Sequence, residues 1–173
     1  MNFDVYLGVN KKDRLSVALV VKAVVTDTPE TIIPSNLLPL PKLPQCKYRM
    51  YPLVDQMADK VCATLSVYNG YPSTRVKDLV DLVVLTLTQA IDGGRLEVAI
   101  TREAASRGLP FPKTFTAPPD WDASYRRLAS PIPDCKDHLT VALATSLVNA
   151  LLEPVLAGKA KGLRWDPKIR AWV

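Results

Sequence analysis

The stretch that decides the fold is Tyr51-Pro-Leu-Val-Asp-Gln-Met-Ala-Asp-Lys60-Val-Cys-Ala63. Apolar residues recur at every fourth position, which is the spacing of one face of an α-helix: Leu53, Met57, Val61 and Leu65. Tyr68-Asn-Gly70 ends the pattern, because Asn and Gly favour the backbone angles that terminate a helix. The sequence therefore predicts a first helix that starts just after Pro52.

A second helix is predicted in Pro72-Ser-Thr-Arg75-Val-Lys-Asp78-Leu-Val-Asp81-Leu82 and the residues after it. Ser73 or Thr74 is the expected N-cap, the helix runs from about Arg75 to Ile91, and Asp92-Gly-Gly94 closes it. The remaining helices are predicted at about Arg95–Arg107, Trp121–Leu128 and His138–Leu152, the last unbroken until Pro154. Residues 51–173 are thus predicted to form a helical domain.

The residues before these helices predict a small β-sheet region. Residues 3–9 alternate between apolar and polar side chains, as in a half-buried strand, and Asn10-Lys-Lys-Asp13 is typical of a turn. Leu15–Val25 is almost entirely apolar, which favours a strand covered on both faces. Cys46–Met50 is predicted to be a last short strand. Because an isolated hairpin is at best marginally stable, further strands or helices are expected against it.

Prolines separate the two parts of the chain. Those between residues 26 and 44 are expected to prevent regular hydrogen-bonded structure, and the leucines and isoleucines among them predict an apolar extended strap along the domain. Residues 1–50 are therefore interpreted as a partial sheet region with this strap. The predicted fold class is α+β with segregated parts.

Composition restricts the function classes. The chain has 173 residues, 48% of them hydrophobic and 23% charged, which is typical of a globular protein. Its longest apolar runs are much shorter than a membrane span, and three cysteines at irregular spacing suggest neither a disulfide framework nor a zinc site. A cytoplasmic location is expected. The net charge of +5 is compatible with nucleic acid or nucleotide phosphates as partners.

Common catalytic motifs are absent from the sequence. There is no GxGxxG, GxxxxGK[ST], HExxH or GxSxG, and His138 is the single histidine. Because His138 follows Asp137 at a predicted helix start, a surface or capping role is expected for it. Nucleophilic catalysis through a histidine is therefore disfavoured.

Charged residues on the first two helices form a more ordered pattern. Arg75, Asp78 and Asp81 follow one another at i+3 and form one polar ridge, and Lys77 lies one turn from Asp81. Two carboxylates at this spacing repel each other unless a positive charge lies between them. Arg75, Lys60 of the preceding helix or a metal-bound phosphate would supply that charge.

Two interpretations of this pattern remain open. The residues could form an inter-helix salt-bridge network on a half-exposed surface. Alternatively, Lys60 could hold phosphate oxygens while an aspartate orients the lysine or a substrate hydroxyl, as phosphoryl-transfer chemistry requires.

The same residues resemble two motifs of the AbiEii/AbiGii family of bacterial nucleotidyltransferase toxins. Ala58-Asp-Lys60-Val-Cys-Ala63 is similar to its A-[DE]-K-x-x-A helix, and Arg75-Val-Lys-Asp78-Leu-Val-Asp81-Leu82 is similar to its R-x-K-D-x-x-D-L helix. The resemblance extends from about residue 15 onward. It implies a nucleotidyltransferase-like sheet followed by a helical bundle, and a role as a toxin of type IV toxin–antitoxin or phage-defence systems.

Activity and site residues follow from this resemblance. It implies nucleotide transfer from an NTP to RNA, such as a tRNA 3′ end, with Mg²⁺, and a cognate antitoxin. Lys60 would contact phosphate, Asp78 or Asp81 would be the late catalytic acid, and Arg75 and Lys77 would be supporting substrate-binding residues.

The family's metal-binding D-x-D strand has no counterpart here. The one D-x-D pattern, Asp120-Trp-Asp122, lies among the second group of prolines, and Ala18 stands where a further acid is expected. We therefore expect an N-terminally truncated, inactive member without a two-metal site. The alternatives are a non-catalytic helical module that binds RNA or an antitoxin, and a purely structural helical domain.

Overall fold

Helices are the main regular structure in the computed structural model, which describes residues 1–17, 23–33 and 47–173. Within these residues the α-helices are α1 (Leu53–Leu65), α2 (Val76–Thr88), α3 (Gly93–Ser106), α4 (Asp122–Ala129) and α5 (Val141–Leu156). Short 3-10 helices at Pro119–Trp121 and Pro133–Cys135 flank α4. The predicted first helix is confirmed, with its start just after Pro52, but it ends at Leu65, and Asn69-Gly70 of the predicted stop form the turn between two short strands that follow it.

Short strands form four small antiparallel sheets in the described part of the chain. The strands are β1 (Asn2–Leu7), β2 (Asn10–Ser16), β3 (Glu30–Ile32), β4 (Tyr48–Met50), β5 (Val67–Tyr68), β6 (Tyr71–Pro72), β7 (Ile91–Asp92), β8 (Arg164–Asp166) and β9 (Ala171–Trp172). Strands β1–β2, β3–β4 and β5–β6 form pairs, and β7–β8–β9 form a three-stranded sheet. The α+β fold class is confirmed.

The core lies between the helices. Helix α1 packs against α2 and α3, and α2 also packs against α4 and α5. Met57 and Val61 of the predicted apolar stripe are fully buried, as are Leu79 and Leu82 of α2. Burying one such side chain contributes about 1.5–3 kcal/mol, so these apolar contacts are the main force that holds the helices together.

The first hairpin differs from its prediction in the position of its turn. The turn is Gly8-Val9, where Gly8 has a φ of 61°, and the predicted turn Asn10–Asp13 lies within β2. Glycine adopts a positive φ without steric strain, which favours a two-residue turn at that point. The polar residues of β2 fit a strand because Asp4 pairs across the hairpin with Lys11 and Arg14.

The predicted burial of this hairpin is also wrong. Phe3, Val5 and Leu15 are all exposed, at 49%, 43% and 56%. The predicted strand Leu15–Val25 is found only as far as Ser16, where β2 ends, and residues 23–25 are not in a strand. Residues 18–22 of that prediction, including Ala18, lie outside the described residues.

Regular structure does occur in the first proline-rich segment. Glu30–Ile32 pairs with Tyr48–Met50, although the prolines were expected to prevent such pairing. Proline removes only its own N–H and restricts the residue before it, so the three residues of β3 can still form a short ladder. The predicted last short strand is confirmed at Tyr48–Met50. The predicted apolar strap lies largely in residues 34–46, outside the described residues.

Two predicted helix signals around α2 are wrong. Neither Ser73 nor Thr74 is the N-cap, because α2 follows Arg75, and the Ser73 hydroxyl accepts a hydrogen bond from the Arg75 N–H at 3.2 Å. Asp92 does not close α2, which ends at Thr88. The Asp92 carboxylate instead accepts a hydrogen bond from the Arg95 N–H at 2.8 Å and caps the N-terminus of α3.

The last helix continues past its predicted end. Helix α5 includes Pro154 and ends at Leu156. A proline inside a helix costs about 3 kcal/mol. The two residues after it, Val155 and Leu156, are buried and each contributes roughly 1.5–3 kcal/mol, which offsets that cost.

A C-terminal β-hairpin that the sequence did not predict closes one end of the bundle. Strand β8 pairs with β7 and β9, and Trp165 on β8 is 1% exposed. Its indole N–H donates to the Thr86 carbonyl near the end of α2 at 2.8 Å. The loop before β8 packs closely on the start of α3, where the Gly93 N–H donates to the Leu163 carbonyl at 3.1 Å.

Substituting Gly93→Ala is expected to lower the free energy of unfolding by about 1–3 kcal/mol, because a side chain there overpacks the contact with this loop. A Cβ at Gly93 overlaps the Ala160 carbonyl oxygen and lies 2.6 Å from the Ala160 Cβ. Gly94→Ala is the matched control, because the nearest atom to its Cβ is 3.5 Å away. Denaturant unfolding followed by circular dichroism measures both variants. Equal stabilities would contradict the tight contact.

Candidate functional site

Lys60 bridges helices α1 and α2. Its Nζ donates a hydrogen bond to Asp81 Oδ2 at 2.5 Å and lies 3.5 Å from Asp78 Oδ1. The Lys60 side chain is 12% exposed, that of Asp78 is 5% exposed and that of Asp81 is 33% exposed. The ammonium group is thus held in a largely buried position whose more open side is at Asp81.

Arg75, the residue immediately before α2, completes the cluster. Its Nε donates to Asp78 Oδ2 at 2.5 Å, and a second guanidinium nitrogen donates to Asp78 Oδ1 at 3.3 Å. The hydrogen bond to Asp78 raises the pKa of Arg75. Two carboxylates therefore face two cations, which relieves the repulsion that the i+3 spacing creates.

The structure brings together four of the five predicted site residues: Lys60, Arg75, Asp78 and Asp81. Lys77 is exposed and takes part in none of the ion pairs found among the described residues. The i+3 spacing on α2 aligned the two acids and Arg75. The lysine of α1 reaches them because the two helices pack side by side.

A second charged group, which the sequence did not indicate, lies where α1 meets the end of α3. Arg107 pairs with Asp59 of α1 and donates from Nε to Glu103 Oε1 at 2.6 Å, and it also donates to the Tyr68 hydroxyl at 3.4 Å. Burial disfavours the charged guanidinium, but Glu103 and Asp59 outweigh this effect and raise the pKa of Arg107. In the sequence, the i,i+4 spacing of Glu103 and Arg107 was a signal that could have indicated this ion pair. Adjacent residues of α1, Asp59 and Lys60, are thus fixed to different helices.

The described residues do not fit the Mg²⁺ site that the resemblance implies. They contain no group of three or more His, Cys, Asp or Glu side chains that could hold a metal ion. Asp78 and Asp81 already face Lys60 and Arg75. A divalent ion here would lie next to two positive charges and would have only two acids to bind it, whereas magnesium sites use carboxylates free to coordinate the ion.

Asp120-Trp-Asp122 has a structural role. The Asp122 carboxylate accepts a hydrogen bond from the Val141 N–H, the first residue of α5, at 2.7 Å. Trp121, between the two acids, is buried. Asp122 therefore fixes the start of α5.

His138 is buried, so the predicted surface or capping role is wrong. It is 9% exposed, and burial, together with the nearby Arg170, lowers its pKa. Its backbone carbonyl accepts a hydrogen bond from the Tyr125 hydroxyl at 2.8 Å. The cap of α5 is Thr140, two residues later. The helix starts later than the sequence predicted, which places His138 in the packed segment before it.

Cavities among the described residues include two that flank the bundle. One of about 740 Å³ lies between β3, β4 and the helices, and its lining includes Tyr51, Arg95 and Arg164. The other, of about 480 Å³, is lined by the end of α1, by Ser73 and by the loop before α4. Neither of these two cavities is lined by Lys60, Asp78 or Asp81.

Comparison with known proteins gives one match. The family model described as "Nucleotidyl transferase AbiEii toxin, Type IV TA system" matches residues 2–154. No curated protein and no solved structure matches the chain at a significant level. The match starts earlier than the expected residue 15 and ends before β8 and β9.

No helix in the described ranges is both long and apolar enough to cross a membrane.

The two charged helices α1 and α2 lie wholly within the matched region. The chain therefore belongs to the AbiEii family of nucleotidyltransferase toxins of type IV toxin–antitoxin systems.

Proposed function

We propose that this protein binds an NTP for nucleotide transfer to RNA, such as a tRNA 3′ end, in the cytoplasm, that Lys60 binds the phosphates of the NTP, and that the chain by itself does not complete the transfer. The observation that carries the proposal is the position of the Lys60 ammonium group between Asp78 and Asp81 on two packed helices of a nucleotidyltransferase family member. Transfer of this kind needs fixed positive charge next to the phosphates, where negative charge develops.

The two aspartates have different roles in this proposal. Asp78 is nearly buried and bound to Arg75, so it positions Lys60 and stays in place when a ligand arrives. Asp81 is 33% exposed, and a phosphate oxygen approaching from its side would replace it as the partner of Lys60. Asp81 would then be free to accept a proton from an attacking RNA hydroxyl.

Arg75 and Lys77 lie at the edge of this site. The Arg75 side chain is 52% exposed despite its bond to Asp78, and Lys77 is exposed in the first turn of α2. Both are proposed to add positive charge near the outer phosphates. The effect of removing either one is expected to be smaller than that of removing Lys60, because charges in solvent are screened.

Substituting Lys60→Gln is expected to weaken NTP binding by about 10- to 100-fold, because a charge-assisted hydrogen bond contributes about 1.5–3 kcal/mol. A ribose-labelled fluorescent ATP analogue, titrated with EDTA present, measures the binding. Lys113→Gln is the control, since it removes the same charge from an exposed position far along the chain.

Loss of Lys60 leaves Asp81 without its partner and could affect folding. The double variant Lys60→Gln with Asp81→Asn removes both charges of the pair and keeps hydrogen-bonding groups. A folded double variant, as judged by circular dichroism, is expected to bind the analogue as weakly as the single variant. Binding equal to that of the unaltered protein would reject Lys60 as the phosphate ligand.

The chain by itself is proposed to be inactive in transfer. Of its D-x-D pattern, Asp122 accepts a hydrogen bond at the start of α5, and Asp78 and Asp81 are paired with cations. Incubation of these 173 residues with tRNA, Mg²⁺ and each labelled NTP is therefore expected to give no labelled tRNA. Labelling that depends on Lys60 would overturn this part of the proposal.

A non-catalytic module that binds RNA or an antitoxin is the second candidate. It is favoured by the charge balance of the Lys60 cluster and by its position outside both cavities described above. This candidate predicts RNA or antitoxin binding that is unchanged in Lys60→Gln, together with no binding of the ATP analogue.

A further inference from the structure

The positive charge of the protein is concentrated at its C-terminal end. Residues 154–173 contain five Lys and Arg but one acidic residue, so they carry +4 of the net charge of +5. The other 153 residues are therefore almost balanced. These five residues are called the basic C-terminal surface: Lys159, Lys161, Arg164, Lys168 and Arg170.

All five side chains are available to a partner. Each residue is exposed, and none forms an ion pair with any residue of the described part of the chain. The remaining segments, 18–22 and 34–46, contain no acidic residue in their sequence. The one acid of the C-terminal segment, Asp166, accepts a hydrogen bond from the Lys168 backbone N–H at 2.8 Å. The positive charges are thus left without internal compensation.

The elements that carry these charges are rigidly attached. Lys159 and Lys161 lie in the loop that packs on the start of α3, next to Gly93. Arg164 begins β8, and Lys168 and Arg170 lie in the turn between β8 and β9. The buried Trp165 anchors this hairpin to α2. The five charges are therefore carried by backbone that is fixed to α2 and α3.

The hairpin that carries part of the basic C-terminal surface is anchored to α2, the helix that also carries Asp78 and Asp81. The Trp165 indole binds the Thr86 carbonyl, which is five residues after Asp81 on α2. Five residues of a helix correspond to roughly 8 Å along its axis. The basic C-terminal surface and the Lys60 cluster are thus connected through one rigid helix.

We propose that the basic C-terminal surface is a docking site for the phosphate backbone of RNA. Uncompensated lysines and arginines on a fixed surface bind phosphates through counterion release, without sequence specificity. The choice of RNA over other polyanions rests on the proposed function. The surface itself lies beyond the region that the family model matches, which ends at residue 154.

The test compares two variants with the same change in charge. The surface variant carries Lys159→Gln, Lys161→Gln, Lys168→Gln and Arg170→Gln. The control variant carries Lys12→Gln, Lys113→Gln, Lys136→Gln and Arg102→Gln, which are four exposed residues elsewhere on the protein. Binding of fluorescein-labelled tRNA is measured by anisotropy between about 50 and 300 mM KCl, and circular dichroism verifies that both variants are folded.

The surface variant is expected to bind tRNA at least about tenfold more weakly than the control variant at 100 mM KCl. Its plot of log K against log salt concentration should be shallower by about 3, because four phosphate contacts contribute about 0.7–0.9 each. Equal binding by the two variants, or no binding of tRNA by the unaltered protein, would overturn the docking site. Tighter binding of a DNA duplex of the same length would overturn the assignment to RNA.

The same measurements separate this inference from the proposed function. If tRNA binding depends on the basic C-terminal surface while the ATP analogue binds independently of Lys60, the docking site stands and the proposed function fails. If the ATP analogue requires Lys60 while tRNA binding is the same in both charge variants, the docking site fails and the proposed NTP site stands.

Discussion

The ion pairs of one ammonium group, that of Lys60, fix the arrangement on which the site depends. Without Lys60, the two acids of α2 would face each other at one helical turn, and Asp78 at 5% exposure would rely on Arg75 alone. Removing one member of a largely buried ion pair is strongly destabilising, because the remaining charge stays uncompensated. Helix α1 can therefore lie against the charged half of α2 only with a cation at this position.

The same helix makes a second ion pair with a different helix. Asp59 pairs with Arg107 of the α3 end, while Lys60 pairs with α2. Apolar residues of α1 fill the core between these two contacts. The polar contacts thus determine how α1 is oriented between its neighbours, while the buried apolar side chains supply most of the stability. A ligand that exchanges with Asp81 would change one of these contacts and leave the other intact.

Because the positive and negative charges of the Lys60 cluster balance, a phosphate group must compete with Asp81 for Lys60. Lys60 is not a free cation, so a ligand must offer it a better partner than the Asp81 carboxylate. The triphosphate of an NTP carries several negative charges and many acceptor oxygens, and charge-assisted hydrogen bonds to it are strong. Arg75 and the exposed Lys77 would add to its attraction, whereas a neutral ligand would gain nothing from this site.

The parts of the fold that were predictable depend on local spacing. The four-residue period of Leu53, Met57 and Val61 located α1, and the i+3 spacing on α2 placed its acids on one ridge. Strands of two or three residues, such as β7, β8 and β9, are too short to show alternation, so the C-terminal hairpin was missed. Asp92-Gly-Gly94 serves equally well as a helix stop or a helix start, and only the contact with the loop before β8 decides between them.

The candidate site was predictable only in part. The sequence placed Lys60 and the acids on neighbouring helices, but it did not determine which acid the lysine would contact at 2.5 Å. The pairing of Asp59 with Arg107 joins residues 48 positions apart and has no local signal. The burial of His138 likewise depends on how Tyr125 and α5 pack around it.

Labelling with an acyl-phosphate derivative of ATP tests the central claim most directly. A lysine amine next to the phosphates attacks the acyl carbonyl and releases ATP, which leaves the acyl group on that lysine for identification by mass spectrometry. The account predicts that Lys60 is labelled and that excess ATP suppresses this labelling. Labelling confined to exposed lysines such as Lys113 and Lys136, with Lys60 unmodified, would contradict it.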